Sequence, residues 1–262
     1  MRLRLTALLL FAVLLAGCGK SSELQQTQAN MAKQKSGTID LRLAASAGSG
    51  DTATGPSGFR LAGPFSFEGK HDLAVFNLTY TQLLGSNSKV TKVSSTGSAA
   101  FVDTGAKTYR VAQKDLGPLR LDDSPSGGFD DLGIAGWVEN PKTTKGSSTD
   151  RITGEVDAPD LLSDLARVAG PLGGDNQLAA LNGDSAKRLQ KLVKASSIEV
   201  VTGAKDHQLQ SLHAVIDFGT RAPNELRHTL GKYAQARIDV RLSMRKLTAP
   251  LRVAAPDRYV KL

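Results

Sequence analysis

The sequence predicts an α+β fold in which one antiparallel sheet is covered on its apolar face by helices, and three observations predict it. Apolar and polar residues alternate at a period of two in segments from Gly37 to Ala112 and again from Ile198 to Leu247, the pattern of strands with one buried face. Between these blocks, Asp157 to Ser196 switches to a period of 3.6 and carries two apolar stripes. The links inside each block are turn-like, which signals an antiparallel meander and not βαβ crossovers. A sheet with one apolar face must cover it, and the two helical stripes are the large apolar surfaces on offer.

Taken in order, Lys20 to Lys35 is polar and Gln-rich, with Leu24, Met31 and Ala32 as a weak helical stripe. It reads as a tether or a short helix leading into the domain; as a flexible tether it would span about 20 to 25 Å. In the first strand Ile39, Leu41 and Leu43 alternate with Thr38, Asp40 and Arg42. After a Gly/Ser/Thr loop, Phe59, Leu61, Phe65 and Phe67 share one face of a second strand. Gly63-Pro64 there suggests a bulge or an edge position, because proline cannot donate to a ladder. Leu73 to Gln82 is a long third strand, with Phe76, Leu78 and Tyr80 opposed by Val75, Asn77 and Thr79. Lys89 to Ser95, Ala99 to Asp103 and Lys107 to Ala112 continue the meander, the last two joined by a hairpin turn at Thr104-Gly105. Asp115 to Gly133 is a long irregular stretch, of the kind that is mobile or functional.

Ser148 to Asp157 alternates again, Ile152, Gly154 and Val156 facing away from Arg151, Thr153 and Glu155. Asp157 is placed to cap a helix with Pro159 in its first turn, Leu161, Leu162, Leu165 and Val168 as its stripe, and Gly170-Pro171 as its end. A second helix over Asp184 to Ser196 buries Ala186, Leu189, Leu192 and Val193. Strands follow at Ile198 to Thr202 and Leu209 to Phe218, then a short helix near Asn224 to Leu230. The last strand, Tyr233 to Leu247, has the cleanest alternation: Ala236, Ile238, Val240, Leu242 and Met244 on one face, Arg237, Asp239, Arg241, Ser243 and Arg245 on the other.

The N-terminus carries a different signal. Arg2 and Arg4, the apolar run Leu5 to Leu15, and Leu15-Ala16-Gly17-Cys18 have the order of a secretion signal with a lipobox. The run falls short of the about 20 residues that cross a bilayer, so residues 1–17 read as a signal peptide that is removed. Cys18 is the single cysteine and has no partner for an intramolecular disulfide. Acylation explains it, and the diacylglyceryl group and palmitate expected there would hold the protein on the extracytoplasmic side of the cell membrane. Residues 18–35 then form the lipidated N-terminus with its tether or short helix, and 36–262 a single domain.

The formal charge of +8 is concentrated: Arg221 to Leu262 holds ten Lys and Arg against Glu225, Asp239 and Asp257. A basic strand face built on Arg237, Arg241 and Arg245 suits anionic head groups, at about 1 kcal/mol per cation near such a leaflet; it is equally an ordinary solvated face. Nucleic acid is not an expected partner outside the cytoplasm.

Enzymatic motifs are missing. There is no Gly-x-Ser-x-Gly elbow and no His-Glu-x-x-His. His71, His207, His213 and His228 are scattered, and His213 falls on the solvent face of its strand. Asp122, Asp123, Asp130 and Asp131 lack EF-hand spacing and read as a solvated acidic loop. No metal, cofactor or catalytic residue is expected, and Trp137 is read as a core residue rather than the lip of a cavity.

Short strings add a resemblance. Gly63-Pro64-Phe65, Ser95-Thr96-Gly97 with Phe101-Val102, Thr108-Tyr109, Leu132-Gly133-Ile134 with Trp137, and Asn140-Pro141-Lys142 are similar to the LolA-like lipoproteins of the actinobacterial LppX and LprG type. So are Ile152 to Asp157 leading into Leu161-Leu162 and Asp164, Glu225-Leu226-Arg227, and Ala255-Pro256. The resemblance implies a curved antiparallel sheet, an incomplete barrel, with helices over its concave face and a lipid-accepting space between them. The residues placed to line such a space are Phe65, Phe67, Phe76, Leu78 and Tyr80 from the early strands, Leu161, Leu165, Leu189 and Val193 from the helices, and Ile238, Val240 and Leu242 from the last strand. The implied ligand is a lipid, a glycolipid or a lipoprotein acyl chain. A non-enzymatic adaptor docking through the arginine face is the alternative, and the oligomeric state is open.

Overall fold

The computed structural model describes residues 22–47, 56–68, 72–116, 132–169, 183–218 and 236–261. The expected signal peptide, Cys18, His71, His228, the acidic loop at 122–131 and the short helix near Asn224 lie outside them. In chain order, α1 (Ser22–Ala32) leads into β1 (Ser36–Ala47), β2 (Ser57–Ser66), β3 (Val75–Leu84), β4 (Asn87–Thr96), β5 (Ala100–Asp103) and β6 (Thr108–Arg110). After a 3-10 turn at Gln113–Asp115 come β7 (Val138–Thr144), β8 (Thr149–Val156), α2 (Ala158–Ala169), α3 (Gly183–Leu192), β9 (Val193–Gly203), β10 (Leu209–Phe218), β11 (Ala236–Arg245) and β12 (Val260–Lys261).

The described strands form one sheet in the order β12-β6-β5-β4-β3-β2-β1-β11-β10-β9-β8-β7. Neighbours run antiparallel except β12 beside β6. Two meanders are therefore joined through β1 and β11, whose ten-residue ladder pairs Thr38 with Arg245 and Ala47 with Ala236. The predicted α+β architecture is the one that forms: a large, curved, unclosed antiparallel sheet with few helices. No described helix is long and apolar enough to cross a membrane.

Alternation explains the layering. Ile39, Leu41 and Leu43 on β1, Leu212, Ala214 and Ile216 on β10, and Ile238, Val240, Leu242 and Met244 on β11 all point inward and are buried. Burying each large side chain contributes about 1.5–3 kcal/mol. The helices complete the core. Asp157 caps α2 as expected, its Oδ1 accepting the Asp160 N–H at 3.0 Å, which satisfies one of the free amides of the first turn. Leu161, Leu162 and Leu165 then have no solvent exposure.

Two expectations are corrected. Gly63-Pro64 is neither an edge nor a register bulge: β2 lies between β1 and β3, and its ladder to β3 lapses after Ala62–Thr79 and resumes in register at Phe65–Phe76. Proline's missing N–H is absorbed as a two-residue gap. The second helix stops at Leu192, and Val193 begins β9 because it pairs with Phe218 on β10; that tertiary pairing overrides the helical spacing of Val193. Of the two readings of the N-terminal segment, tether or short helix, the helix forms from Ser22 onward. Leu24, Thr27 and Met31 of α1 are buried, the Thr27 and Thr202 hydroxyls lie 3.1 Å apart, and Lys145 bridges Glu23 at 2.8 Å and Asp150 at 3.0 Å.

Candidate functional site

The inner face of the sheet divides into a covered and a half-covered zone. One cross-strand row follows the register through Ile152, Val200, Leu212, Leu242, Leu41, Leu61, Tyr80 and Thr91. From Ile152 to Leu61 none of these side chains is more than 6% exposed. At Tyr80 the row becomes half-buried, and at Thr91 it turns polar. The helices account for the first part, since α1 rests on β10 and α3 on β9.

In the second part, Leu78 of β3 faces Val93 of β4, and both are half-buried. Gly63 falls opposite Leu78 in the β2–β3 register and offers no side chain to cover it. Its φ is +148°, and a Cβ there would lie 2.1 Å from the Asn77 carbonyl oxygen, so only glycine fits this close approach. The Tyr80 ring stacks on Phe59 at a centroid distance of 6.0 Å, and Phe65 and Phe67 pack at 5.3 Å. The result is an apolar strip of Leu78, Tyr80 and Val93 bordered by rings.

All the residues expected to line a lipid space belong to one continuous apolar cluster, but they divide by exposure. Phe65, Phe76, Leu161, Leu165, Leu189, Ile238, Val240 and Leu242 are buried in it, whereas Phe67, Leu78, Tyr80 and Val193 are only partly buried against it. Val93 belongs to the strip and Phe59 borders it, and neither was among the residues expected to line the space. Register was the missing signal: a turn at Gly85-Ser86 sets Val93 opposite Leu78. Trp137 is fully buried, in keeping with a core role.

The outer face is charged, and its arginines are not equivalent. The Arg241 guanidinium donates to Asp239 at 2.9 and 3.3 Å, and His213 Nε2 lies 2.9 Å from the same carboxylate. Burial pushes the Asp239 carboxyl up, but hydrogen bonds from His213 and Arg241 outweigh it and hold the group below the usual carboxylate range. Arg60 clasps Asp40 through two bonds of 2.8 and 2.6 Å, which lowers the Asp40 pKa. Arg42 stands between Arg60 and Arg241 in the register and has no ion-pair partner among the described residues. Arg237 is exposed near one end of β11, while Arg245 at the other end lines a groove of about 860 Å³. None of the expected lipid-lining residues contributes to that groove.

Neither a protein-family model nor a curated protein sequence matches this chain. Among solved structures, LprF from Mycobacterium bovis is similar at 14% identity, over 89% of this chain and 95% of that one, with a TM-score of 0.45. The LolA superfamily protein NE2245 from Nitrosomonas europaea is similar at 8% identity, over 89% and 96% of the two chains, with a TM-score of 0.25.

Proposed function

We propose that this chain is a lipid-anchored envelope lipoprotein that binds or carries an amphiphile, without catalysing a reaction on it. The ligand class is a lipid, a glycolipid or the acyl chain of another lipoprotein. One observation carries the reading: the apolar row of the inner face runs out from under the helices at Tyr80 while its neighbours Leu78 and Val93 stay apolar. An acyl chain laid there would remove that surface from water at about 0.8 kcal/mol per buried methylene. Aromatic walls from Phe59, Phe67 and Tyr80 would orient it without fixing a head group.

Anchoring through acylated Cys18 belongs to the same proposal. Because α1 is docked from Ser22, the four steps of chain from Cys18 reach about 14 Å at full extension. The domain would sit close against the extracytoplasmic surface of the membrane instead of on a long leash. Replacement of Cys18 by Ser is expected to move the protein from the membrane fraction to the soluble one.

Native mass spectrometry of the full-length chain extracted from membranes in mild detergent tests the ligand reading. Amphiphile adducts are expected on the wild-type chain and are expected to vanish from a folded Leu78→Asp, Val93→Asp variant. Adduct-free spectra for the wild type, or adducts unaffected by the double substitution, would overturn it.

A further inference from the structure

The groove beside Arg245 lies where the last turn of α1, the start of β1, the end of β11 and the start of β10 meet. Its volume of about 860 Å³ lies within the range of small-ligand sites, about 300–1,000 Å³. Its walls are polar and apolar in about equal measure. Lys33, Lys35, Arg245 and Lys246 line it, against the two carboxylates of Glu68 and Asp206.

Each carboxylate accepts a neutral hydrogen bond, and against four cations the two leave a formal excess of +2. Asp206 Oδ1 accepts the Gln208 N–H at 3.1 Å, closing the turn before β10, and Glu68 Oε1 accepts the Ser36 hydroxyl at 3.2 Å. None of the four cations has an ion-pair partner among the described residues. The negative end of the α1 dipole favours Lys33, one residue past the helix. It does not account for the other three, whose mutual repulsion works against the compact state. Amide and hydroxyl groups of Gln34, Gln210, Ser211 and Ser243 add neutral donors, and Leu209 and Met244 add apolar surface.

We infer that this groove is a binding site for an oxyanion of the phosphate class, gripped by Arg245 and Lys35 and flanked by Lys33 and Lys246. Arginine offers a planar fork and lysine a point charge, the pair of donors that phosphate recognition uses. The site is independent of the apolar strip, because Leu78, Tyr80 and Val93 do not line it. A free phosphate and the phosphodiester of a lipid head group share this chemistry.

Calorimetric titration of the full-length chain in non-ionic detergent micelles separates the sources, with inorganic phosphate as one probe and micelles doped with phosphatidylglycerol as the other. Saturable binding of phosphate marks a soluble ligand; binding of the doped micelles alone marks a head group. In either case a folded Lys35→Gln, Arg245→Gln variant is expected to weaken binding by at least about tenfold, equivalent to about 1.4 kcal/mol, and a Lys92→Gln variant of β4 to leave it unchanged. Should the first variant fold poorly, Lys33→Gln with Lys246→Gln is expected to weaken binding in the same direction. No saturable binding of either probe, or equal binding by wild type and the folded groove variants, would overturn the proposal.

Discussion

The Trp137 indole N–H donates to Asp164 Oδ2 at 2.8 Å, and the same oxygen accepts the Gly133 N–H at 2.8 Å. Trp137 has no exposure and Asp164 only 6%, so one buried carboxylate ties the segment before β7 to α2. Asp164→Ala leaves two donors without this acceptor inside the core and is expected to cost about 3 kcal/mol of stability; Asp164→Asn, which keeps an acceptor, is expected to cost less. Trp137 is the only tryptophan. Its fluorescence during urea unfolding reads both variants without a label.

The division of the inner face predicts unequal costs for the same chemical change. Leu242→Ala, at a position 1% exposed, is expected to lose about 2–5 kcal/mol. Leu78→Ala, half-buried beside Gly63, is expected to lose about 1 kcal/mol or less, since little cavity is created. Urea midpoints of the two variants make the comparison, and equal losses would contradict a half-covered zone.

Glycine at position 63 is predicted to be irreplaceable. Gly63→Ala drives a Cβ toward the Asn77 carbonyl oxygen at 2.1 Å. Backbone strain of this kind costs on the order of 1–3 kcal/mol, and thermal unfolding is expected to shift downward by several degrees. Gly105→Ala, where a Cβ meets nothing within 4 Å but φ is +84°, is expected to cost about 1 kcal/mol.

Glu139 predicts a pH dependence. It pairs directly across from Glu155, and its pKa is raised, first by burial and then by the charges of Asp157, Glu155 and Asp160. Because the folded state holds this proton more tightly than the unfolded chain, the contribution is fully present below the ordinary pKa of 4.5. It is lost as pH rises through the raised value. Glu139→Gln is therefore expected to gain a few tenths of a kcal/mol near pH 7, the usual scale for opposed like charges in a sheet. The difference from wild type should vanish below about pH 4. Denaturation midpoints at the two pH values check it.

Period-two alternation was enough to read β1, β8, β10 and β11, because each has one mainly buried and one mainly solvated face; β3 was read from the same alternation although its burial does not follow it. Asp157 and the Leu161–Leu165 stripe were legible for the same local reason. What failed depended on partners distant in the chain. Val193 has helical spacing, but its ladder with Phe218 lies 25 residues away. β7 went unread because Asn140, with φ of +50°, breaks the alternation beside a register shift. Leu24 and Met31 gave α1 only a weak stripe, and their burial follows from docking on β10. The apolar candidates join one cluster, but which of them stay uncovered depends on where α1 and α3 come to rest. The groove around Arg245 was not visible at all, since Lys33, Glu68, Asp206 and Arg245 are brought together only by the β1–β2, β1–β11 and β10–β11 ladders.

The most direct test of an acyl-binding inner face is photo-cross-linking of the purified full-length chain with a diazirine-bearing fatty-acyl phospholipid, followed by peptide mapping of the adducts. Labels are expected on β3 and β4 at Leu78, Tyr80 and Val93, and to be competed away by excess unlabelled lipid. Labelling scattered over the outer face around Arg42 and Arg241, or none on β3 and β4, would contradict the account.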